Sequence, residues 1–415
     1  MPVMTRVIIA AVVLVIVLSD KAFSAETEWI LVSNHNHSHN SNMWSHAPSH
    51  TPKAMAWSSE GIGAMSMHAR HAGIDVMVLT DHNTILGCHD PAFDTRNPLW
   101  ICGEEFTAGS AHVGLLFPSI PPLDEEGGDP YHAHSLLEAA CRELHVAPCL
   151  VGPIWNPGSR VLRHVLDALR KNHILTIINH PVAGVPILRN KHQQPSFAAT
   201  PRLLGSWSWP YDGFLEAIGL EVGIPVESRR LAASRLWDRQ LRQGVQMIGF
   251  TGTDYHYRGF FSHPMSRIDH WIMALPVGKE WRTSSRDQQR REVIHGLRSG
   301  RALLLRNAKI PTRLEMNVTL GGDVYHSGDS IPVRATSEAI LHIVVFDARG
   351  GFLHIIGPSL SASVFPLPSV GTSTFSIPLV MDGKGFVRVV ISGEKERSGN
   401  AWLLSNPIVW REEGF

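Results

Sequence analysis

The sequence predicts an α/β fold, namely a distorted (β/α) barrel followed by a small all-β, sandwich-like domain. Short apolar runs alternate with helix-period segments over residues 29–308, a pattern typical of parallel strands covered by helices on both faces. Eight strand candidates within ~300 residues suit a barrel. After Arg306, β-branched runs separated by Gly, Pro and Ser turns replace the helix period, which indicates an all-β unit.

The individual elements follow from runs of apolar residues and from helix periodicity. The strand candidates of the first part are Trp29–Asn34, Asp75–Thr80, Leu99–Glu105, His112–Phe117, Leu175–Asn179, Phe214–Val222, Gln246–Thr251 and His270–Leu275. The helix candidates are Ser58–Ala72, Ser135–Leu144, Arg160–Lys171, Glu227–Arg242 and Arg286–Arg298. Strands of the second part are predicted at Ile340–Asp347, Phe386–Ser392 and Ile408–Trp410.

The N-terminus carries an apolar run over residues 7–18, preceded by Arg6. This run is short for a bilayer-spanning helix, which needs roughly 20 apolar residues. The small residues Ala22 and Ser24 follow it at signal-peptidase spacing, so residues 1–24 are predicted to be a secretory signal cut near Ser24 or Ala25. An uncleaved anchor is the alternative. Both place the protein outside the cytoplasm, periplasmic or secreted, and cleavage would leave no stable membrane span.

These assignments divide the chain into a signal peptide (1–24), a larger α/β domain (25–308) and a C-terminal β domain (309–415). Lys+Arg and Asp+Glu both number 37, and a zero net charge argues against a nucleic-acid partner. Hydrophobic residues make up 44% and charged residues 18%, which excludes a disordered chain. The 24 histidines direct attention to metal binding, because histidine is the commonest protein ligand for transition metals.

Four cysteines, none of them in a CxxC pair, give no indication of thiolate zinc. In an oxidising compartment Cys88–Cys102 or Cys141–Cys149 can form disulfides. Buried free thiols agree equally well with the sequence.

Histidine, aspartate or glutamate follows five of the apolar strands at their C-terminal ends. In a barrel of parallel strands that rim is where active sites are built, and His112 opens the strand after Glu105. Imidazole and carboxylate without thiolate suit Zn, Fe or Mn better than calcium, and so many ligands imply more than one ion. The strand-end residues are His35 and His37, Asp81 and His82, Glu104 and Glu105, His180, and Asp254 and His256.

The motifs that carry these residues resemble, in order, those of the PHP (polymerase and histidinol phosphatase) superfamily of metallohydrolases. They read HNHS, VLTDHNT, GEEFT with AHVGLLF, IINHP and GTDYH. LWDRQLRQG at 236–244 and the terminal SNPIVW at 405–410 are similar to the CehA/McbA-type branch. The resemblance covers essentially the whole chain after residue 24, and it implies a PHP-type barrel.

The resemblance also implies a ligand set. Glu105 is preferred to Glu104 because the family pattern is Gly-x-Glu, and Glu105 is the expected bridging carboxylate. Asn42 stands where phosphatases of the superfamily carry an aspartate, which weakens a third metal position. Two divalent ions of Zn, Mn or Fe are therefore expected, with three as the alternative. The implied ligands are His35, His37, His82, Glu105, His112, His180, Asp254 and His256.

The chemistry expected of such a centre is hydrolysis by a metal-held hydroxide. Asp254 can accept the proton that the water loses, and Asp81 can orient an imidazole; with His256 they form the candidate catalytic set. Arg258 can bind an anionic substrate such as phosphate, although a surface arginine is an equal alternative.

Substrate class is left open between two kinds of small-molecule ester. Phosphoester hydrolysis is the first expectation, and carboxyl ester, amide or carbamate hydrolysis is the alternative that the narrower branch implies. A cationic pocket around Arg258 would favour phosphate, whereas an aromatic one lined by Trp44 or Trp207 would favour an aryl ester. A secreted metal- or carbohydrate-binding protein without activity is the remaining alternative, and the oligomeric state is unknown.

Overall fold

The computed structural model describes residues 27–41, 60–94, 97–108, 111–123, 139–145, 158–179, 219–223, 227–255, 267–334, 336–358, 360–394 and 401–412. Several predictions lie outside these ranges. They concern the apolar run at 7–18, Asn42, Trp44, His180, Trp207, His256 and Arg258.

The strands are numbered in chain order. They are β1 (Thr27–Asn36), β2 (Val76–Leu79), β3 (Leu99–Ala108), β4 (Ala111–Leu116), β5 (Leu175–Ile178), β6 (Gly219–Gly223), β7 (Ile248–Thr251), β8 (His270–Gly278), β9 (Leu303–Asn307), β10 (Arg313–Leu320), β11 (Asp323–His326), β12 (Ser330–Val333), β13 (Ser337–Phe346), β14 (Phe352–Gly357), β15 (Leu360–Pro366), β16 (Ser373–Met381), β17 (Gly385–Ser392), β18 (Ala401–Leu404) and β19 (Ile408–Glu412).

Helices connect the strands of the first part. They are α1 (Ile62–Ala72), α2 (Gly158–Lys171), α3 (Glu227–Arg242) and α4 (Arg286–Arg298), with short 3₁₀ turns at Leu86–His89, Pro91–Asp94 and Trp281–Thr283. Helix α1 buries Ile62, Met65, Ser66 and Ala69, the spacing of one helical face. It ends at Gly73, whose φ of 73° lets the backbone cap the last carbonyls.

The large sheet contains 15 strands, and its main path runs β12-β19-β17-β18-β9-β8-β1-β2-β3-β4-β5-β6-β7. Pairs β1–β2, β2–β3, β5–β6 and β6–β7 are parallel. Pairs β3–β4, β4–β5, β1–β8 and β8–β9 are antiparallel. A separate four-stranded sheet has the order β11-β10-β13-β16.

The (β/α) barrel of the PHP type predicted from the sequence is therefore wrong. Such a barrel needs parallel strands closed into a ring with helices outside. The described part of the chain is instead mostly β, with one mixed sheet and no helical barrel. The strands lie close to their predicted positions, but apolar periodicity carries no information on strand direction. The antiparallel β3–β4 pair shows this error most clearly.

The C-terminal part forms one sheet of its own, the four-stranded one, whereas its remaining strands belong to the large sheet. Strand β18 pairs with β9 through Leu403–Leu305 and Leu404–Leu304, so the large sheet continues into it. The described residues after 309 form strands and no helix. The predicted boundary at 308/309 falls between β9 and β10.

Alternate residues of the central strands pack into two apolar clusters on opposite faces of the sheet. Val76 and Val78 of β2 belong to one cluster, and Met77 and Leu79 belong to the other. Burial of both faces explains why these strands read as continuous apolar runs rather than as alternating ones.

The terminal SNPIVW segment has a structural role. Asn406 Oδ1 accepts the Gly249 backbone N–H at 2.6 Å, and Asn406 Nδ2 donates to the Gly249 and Ala302 carbonyls at 3.3 and 3.1 Å. The buried amide thus hydrogen-bonds to the backbone of β7 as a neighbouring strand would, and it links the C-terminal part to β7.

Cys88 and Cys102 form a disulfide, which confirms one of the two suggested pairings. Cys141 is also disulfide-bonded, while Cys149 lies outside the described ranges. The described helices include none with both the length and the apolarity to cross a bilayer.

Candidate metal centre

One edge of the large sheet gathers the candidate ligands. His35 and His37 stand at and just beyond the end of β1, His82 follows β2, and Glu105 lies in β3. His112 lies near the start of β4, and because β4 runs antiparallel to β3, its first residues reach the same edge. A fully parallel sheet would place His112 at the opposite end. The mixed sheet therefore brings together residues that the barrel model would have separated.

Backbone hydrogen bonds fix this convergence. The His37 N–H donates to the Tyr255 carbonyl at 2.9 Å, and the Tyr255 N–H donates to the His35 carbonyl at 3.2 Å. Asp254, next to Tyr255, is thereby held against the end of β1. His82 and Glu105 form an isolated parallel bridge.

Two of these residues adopt a left-handed backbone that is unusual outside glycine. His35 has a φ of 70° and Asp254 a φ of 53°. Such conformations cost of order 1–3 kcal/mol each and cluster at functional sites. The surrounding strands hold both side chains in place at this cost.

Glu105 lies at the centre of the cluster, with no exposed surface. Its Oε1 is 3.1 Å from His35 Nε2 and 3.1 Å from His112 Nδ1. Its Oε2 is 3.3 Å from His37 Nε2 and 3.1 Å from His82 Nδ1. Both oxygens of this carboxylate thus face imidazole nitrogens.

Asp254 completes one side of the centre. Its Oδ1 is 3.4 Å from His35 Nε2 and 3.2 Å from His37 Nε2. Its side chain is 20% exposed and that of His112 is 13% exposed, whereas those of His35, His37 and His82 are buried. The centre therefore opens to solvent on the side of Asp254 and His112.

The donor set fits a metal ion. Two overlapping groups, His35–His37–Glu105–Asp254 and His82–Glu105–His112, each place their ligand atoms within 4.8 Å of one another. Ligands at ~2.1 Å from one ion stand roughly 2.9–3.4 Å apart in octahedral or tetrahedral geometry, and the nitrogen–oxygen distances above are 3.1–3.4 Å. These buried groups can therefore hold a metal ion.

Charges in the cluster shift the titration of its members. Burial opposes ionisation of Glu105, but His35, His112 and His82 outweigh it and hold the pKa of that carboxyl well below its usual range. Burial opposes protonation of His37, but hydrogen bonding to Asp254 and Glu105 outweighs it and raises the pKa of that imidazole. Contacts within the cluster thus favour the charged forms of Glu105 and His37.

Asp81 lies behind the cluster rather than in it. Its carboxylate accepts the Ser38 backbone N–H at 2.6 Å and the Ser38 hydroxyl at 2.7 Å. Burial raises the pKa of this carboxyl, against the effects of His37 and Ser38. The predicted contact to an imidazole is replaced by a contact to the turn that follows His37.

Two residues near the centre have no place in the sequence prediction. The Ser41 hydroxyl lies 2.9 Å from His37 Nδ1 and accepts the His82 backbone N–H at 3.0 Å. Asn179 Nδ2 donates to Glu105 Oε1 at 2.9 Å. Asn179 could have been identified from the sequence, because it is the polar end of the apolar run Leu175–Asn179. Ser41 lies in a polar segment, where no feature distinguishes it from its neighbours.

The neighbouring carboxylate Glu104 is also buried, but it is in neither candidate metal group. Adjacent residues of a strand project to opposite faces, which explains why only Glu105 reaches the histidines.

No family model matches this sequence, and no curated protein does so either.

Proposed function

We propose that this protein is an exported, metal-dependent hydrolase and that its substrates are phosphoesters. The observation that carries the proposal is the position of Glu105, whose two carboxylate oxygens each lie between two imidazole nitrogens. This carboxylate would contribute to both candidate ligand groups if metal were bound. The order of the ligand motifs, which resembles that of PHP metallohydrolases, supports the same reading.

We assign two ions of Zn, Mn or Fe to this centre. Nitrogen and oxygen donors without thiolate suit these metals. The ligand groups defined by His35, His37 and Asp254 and by His82 and His112 share Glu105. His180 and His256 are proposed as further ligands from their motifs. A metal ion bound here supplies a nucleophile at neutral pH by lowering the pKa of a water molecule.

The residues of the chain have distinct tasks in this proposal. Asp254 is the most exposed of the carboxylates and imidazoles in the cluster, so it is the group placed to accept a proton and pass it to solvent. Glu105 is buried and keeps its charge, which holds the imidazoles in position. Ser41 contacts His37 Nδ1, which leaves Nε2 as the ligand nitrogen of that ring.

Two further observations support an anionic substrate and export of the protein. Arg258, two residues after His256 in the sequence, is proposed to bind the anionic group of a phosphoester. The Cys88–Cys102 disulfide agrees with export, because disulfides persist mainly in oxidising compartments.

The test is a parallel assay of the purified protein with aryl phosphomonoester, phosphodiester, aryl ester and carbamate substrates, each with Mn, Zn and Fe. We expect turnover of a phosphoester and its loss in His180→Ala and Asp254→Ala. His164→Ala, which changes an exposed histidine paired with Glu143, is the control that keeps activity. Turnover of only the carboxyl ester or carbamate would overturn the phosphoesterase assignment. No turnover of any substrate would overturn the proposal that the protein is an enzyme.

A further inference from the structure

Asn179 connects three ligand-bearing segments. Its Nδ2 donates to Glu105 Oε1 at 2.9 Å and lies 3.5 Å from His35 Nε2. Its backbone N–H donates to the His112 carbonyl at 3.0 Å. The residue is only 3% exposed. The amide therefore touches the shared carboxylate directly, from a position fixed by the β4–β5 pairing.

The other end of the same amide has no hydrogen-bond partner in the described structure. Asn179 Oδ1 is buried and unsatisfied, which is unfavourable because the oxygen has lost its hydrogen bonds to water. Gly114 makes room for it, because a Cβ at that position would lie 2.8 Å from Oδ1 and 3.2 Å from Nδ2. Gly114 and His112 share one face of β4, so the amide lies on the face that carries the metal ligands.

Two buried asparagines elsewhere in the protein, Asn36 and Asn406, use both ends of the amide. Asn36 Nδ2 donates to the Ser33 and Val78 carbonyls, and its Oδ1 accepts from the Ser33 hydroxyl. Asn406 also uses both ends of its amide. Asn179 instead leaves one end unsatisfied while the other holds Glu105. Stability is thus lost at this position, as is typical of residues kept for function.

We propose that Asn179 is a positioning residue of the metal centre, whose amide N–H fixes the rotation of the Glu105 carboxylate. With Oε1 held toward His35 and His112, Oε2 is directed toward His37 and His82. Without this hydrogen bond the carboxylate can rotate and cannot serve both ligand groups at once. The inference rests on the proposed function only in that the centre binds metal.

The experiment measures Co²⁺ and Zn²⁺ affinity by competition with a chelator, and the unfolding stability of the metal-free protein. In Asn179→Ala we expect metal affinity to fall roughly 10–100-fold, the usual effect of losing an outer partner of a ligand. The metal-free stability should stay close to that of the wild type, because the unsatisfied oxygen is removed with the hydrogen bond. The visible absorption of the cobalt-loaded protein should change as the coordination changes.

A second variant tests the same contact from the opposite side. Gly114→Ala should displace the amide and lower metal affinity to a similar extent. The double variant should be no worse than either single variant, because the new Cβ enters the space that Asn179 leaves. Asn172→Ala, at an exposed helix end where Nδ2 donates to the Ala168 carbonyl, is the control without effect.

Metal affinity of Asn179→Ala within two- to threefold of the wild type would overturn the inference. A loss of metal-free stability that accounts for the whole loss of affinity would also overturn it, because that result describes a structural asparagine. A wild-type protein that takes up metal but hydrolyses nothing would overturn the proposed function and leave the role of Asn179 intact. A wild-type protein that takes up no cobalt or zinc would overturn both.

Discussion

His82 and Glu105 meet twice, once through a parallel backbone bridge and once through their side chains, where His82 Nδ1 lies 3.1 Å from Glu105 Oε2. The backbone bridge brings the segment after β2 beside β3 at the edge where β1 also ends. The side-chain contact then adds a second imidazole to Glu105 Oε2, next to that of His37. The same two residues thus take part both in the sheet pairing and in the candidate metal cluster.

This relationship predicts the effect of Glu105→Gln. The amide keeps the shape of the side chain but loses the charge that both ligand groups share, so metal affinity should fall by more than the roughly 10–100-fold typical of an outer-shell change. The measurement is metal content after dialysis against a weak chelator. Glu104→Gln is the matched control, because this adjacent buried carboxylate is outside both ligand groups. Equal metal loss in both variants would contradict the central place of Glu105.

The disulfide joins the two segments that meet at His82 and Glu105. Cys88 lies six residues after His82, Cys102 lies three residues before Glu105, and 14 residues separate the two cysteines. Closing a loop of this length contributes about 3 kcal/mol to stability. Cys88→Ala/Cys102→Ala should lower the free energy of unfolding by about this amount, as measured by denaturant titration. A reductant should lower the unfolding stability of the wild type more than that of the double variant, because the double variant has no Cys88–Cys102 disulfide to reduce. An unchanged midpoint in the double variant would contradict the prediction.

Arg388 and Asp238 form a buried ion pair between β17 and α3. Arg388 is fully buried, its Nη2 lies 2.6 Å from Asp238 Oδ1, and its guanidinium stacks 4.7 Å from the Trp237 ring centroid. Asp238→Ala leaves this charge without its carboxylate and should cost about 3–5 kcal/mol. Asp167→Ala removes a solvent-accessible carboxylate that pairs with Arg170 and should lower the stability far less than Asp238→Ala, because water screens this pair. Equal melting temperatures for the two variants would contradict the account.

Glu315 on β10 makes stability depend on pH. Burial raises the pKa of this carboxyl from 4.5 to about 7. Between these values the unfolded chain ionises while the folded protein stays protonated, so the contribution of Glu315 is fully present below pH 4.5 and is lost as pH rises through 7. Glu315→Gln should therefore gain stability relative to the wild type at pH 8 but not at pH 4.5, on the order of 1–2 kcal/mol after discounting for solvent screening.

The measurement for Glu315 is the free energy of unfolding of both proteins at the two pH values. Glu338→Gln on the neighbouring strand β13 changes an exposed carboxylate and should show no such difference between them. If the difference in free energy of unfolding between Glu315→Gln and the wild type were the same at both pH values, burial would not raise the pKa of this carboxyl.

The sequence predicted most strands and helices of residues 29–298, because apolar runs and helical periodicity are local, but of the described strands after residue 300 it predicted only β13, β17 and β19. It did not predict strand direction, which depends on pairing between distant segments. The Gly109–Ser110 dipeptide between β3 and β4 was the one local signal of an antiparallel turn. Polar residues directly after apolar strands are also a local pattern. This pattern therefore still predicted that the candidate ligands would lie together, namely His35, His37, His82, Glu105 and Asp254.

The supporting residues could not be found in the same way. Ser41 acts on His82 across 41 residues and Asn179 acts on Glu105 across 74. No spacing rule connects such positions before the fold is known. The same holds for Asp81, whose partner Ser38 lies 43 residues away. Sequence patterns identified ligand types, and tertiary packing decided what holds those ligands in place.

We infer that the cluster around Glu105 binds metal, and elemental analysis of the purified protein tests this inference. After loading with Zn, Mn or Fe and removal of excess metal, the wild type should retain about two equivalents per chain. His37→Ala should retain clearly less, while the surface variant His164→Ala should match the wild type. A wild-type protein without retained metal under all three conditions, or a His37→Ala protein with the full amount, would contradict the account.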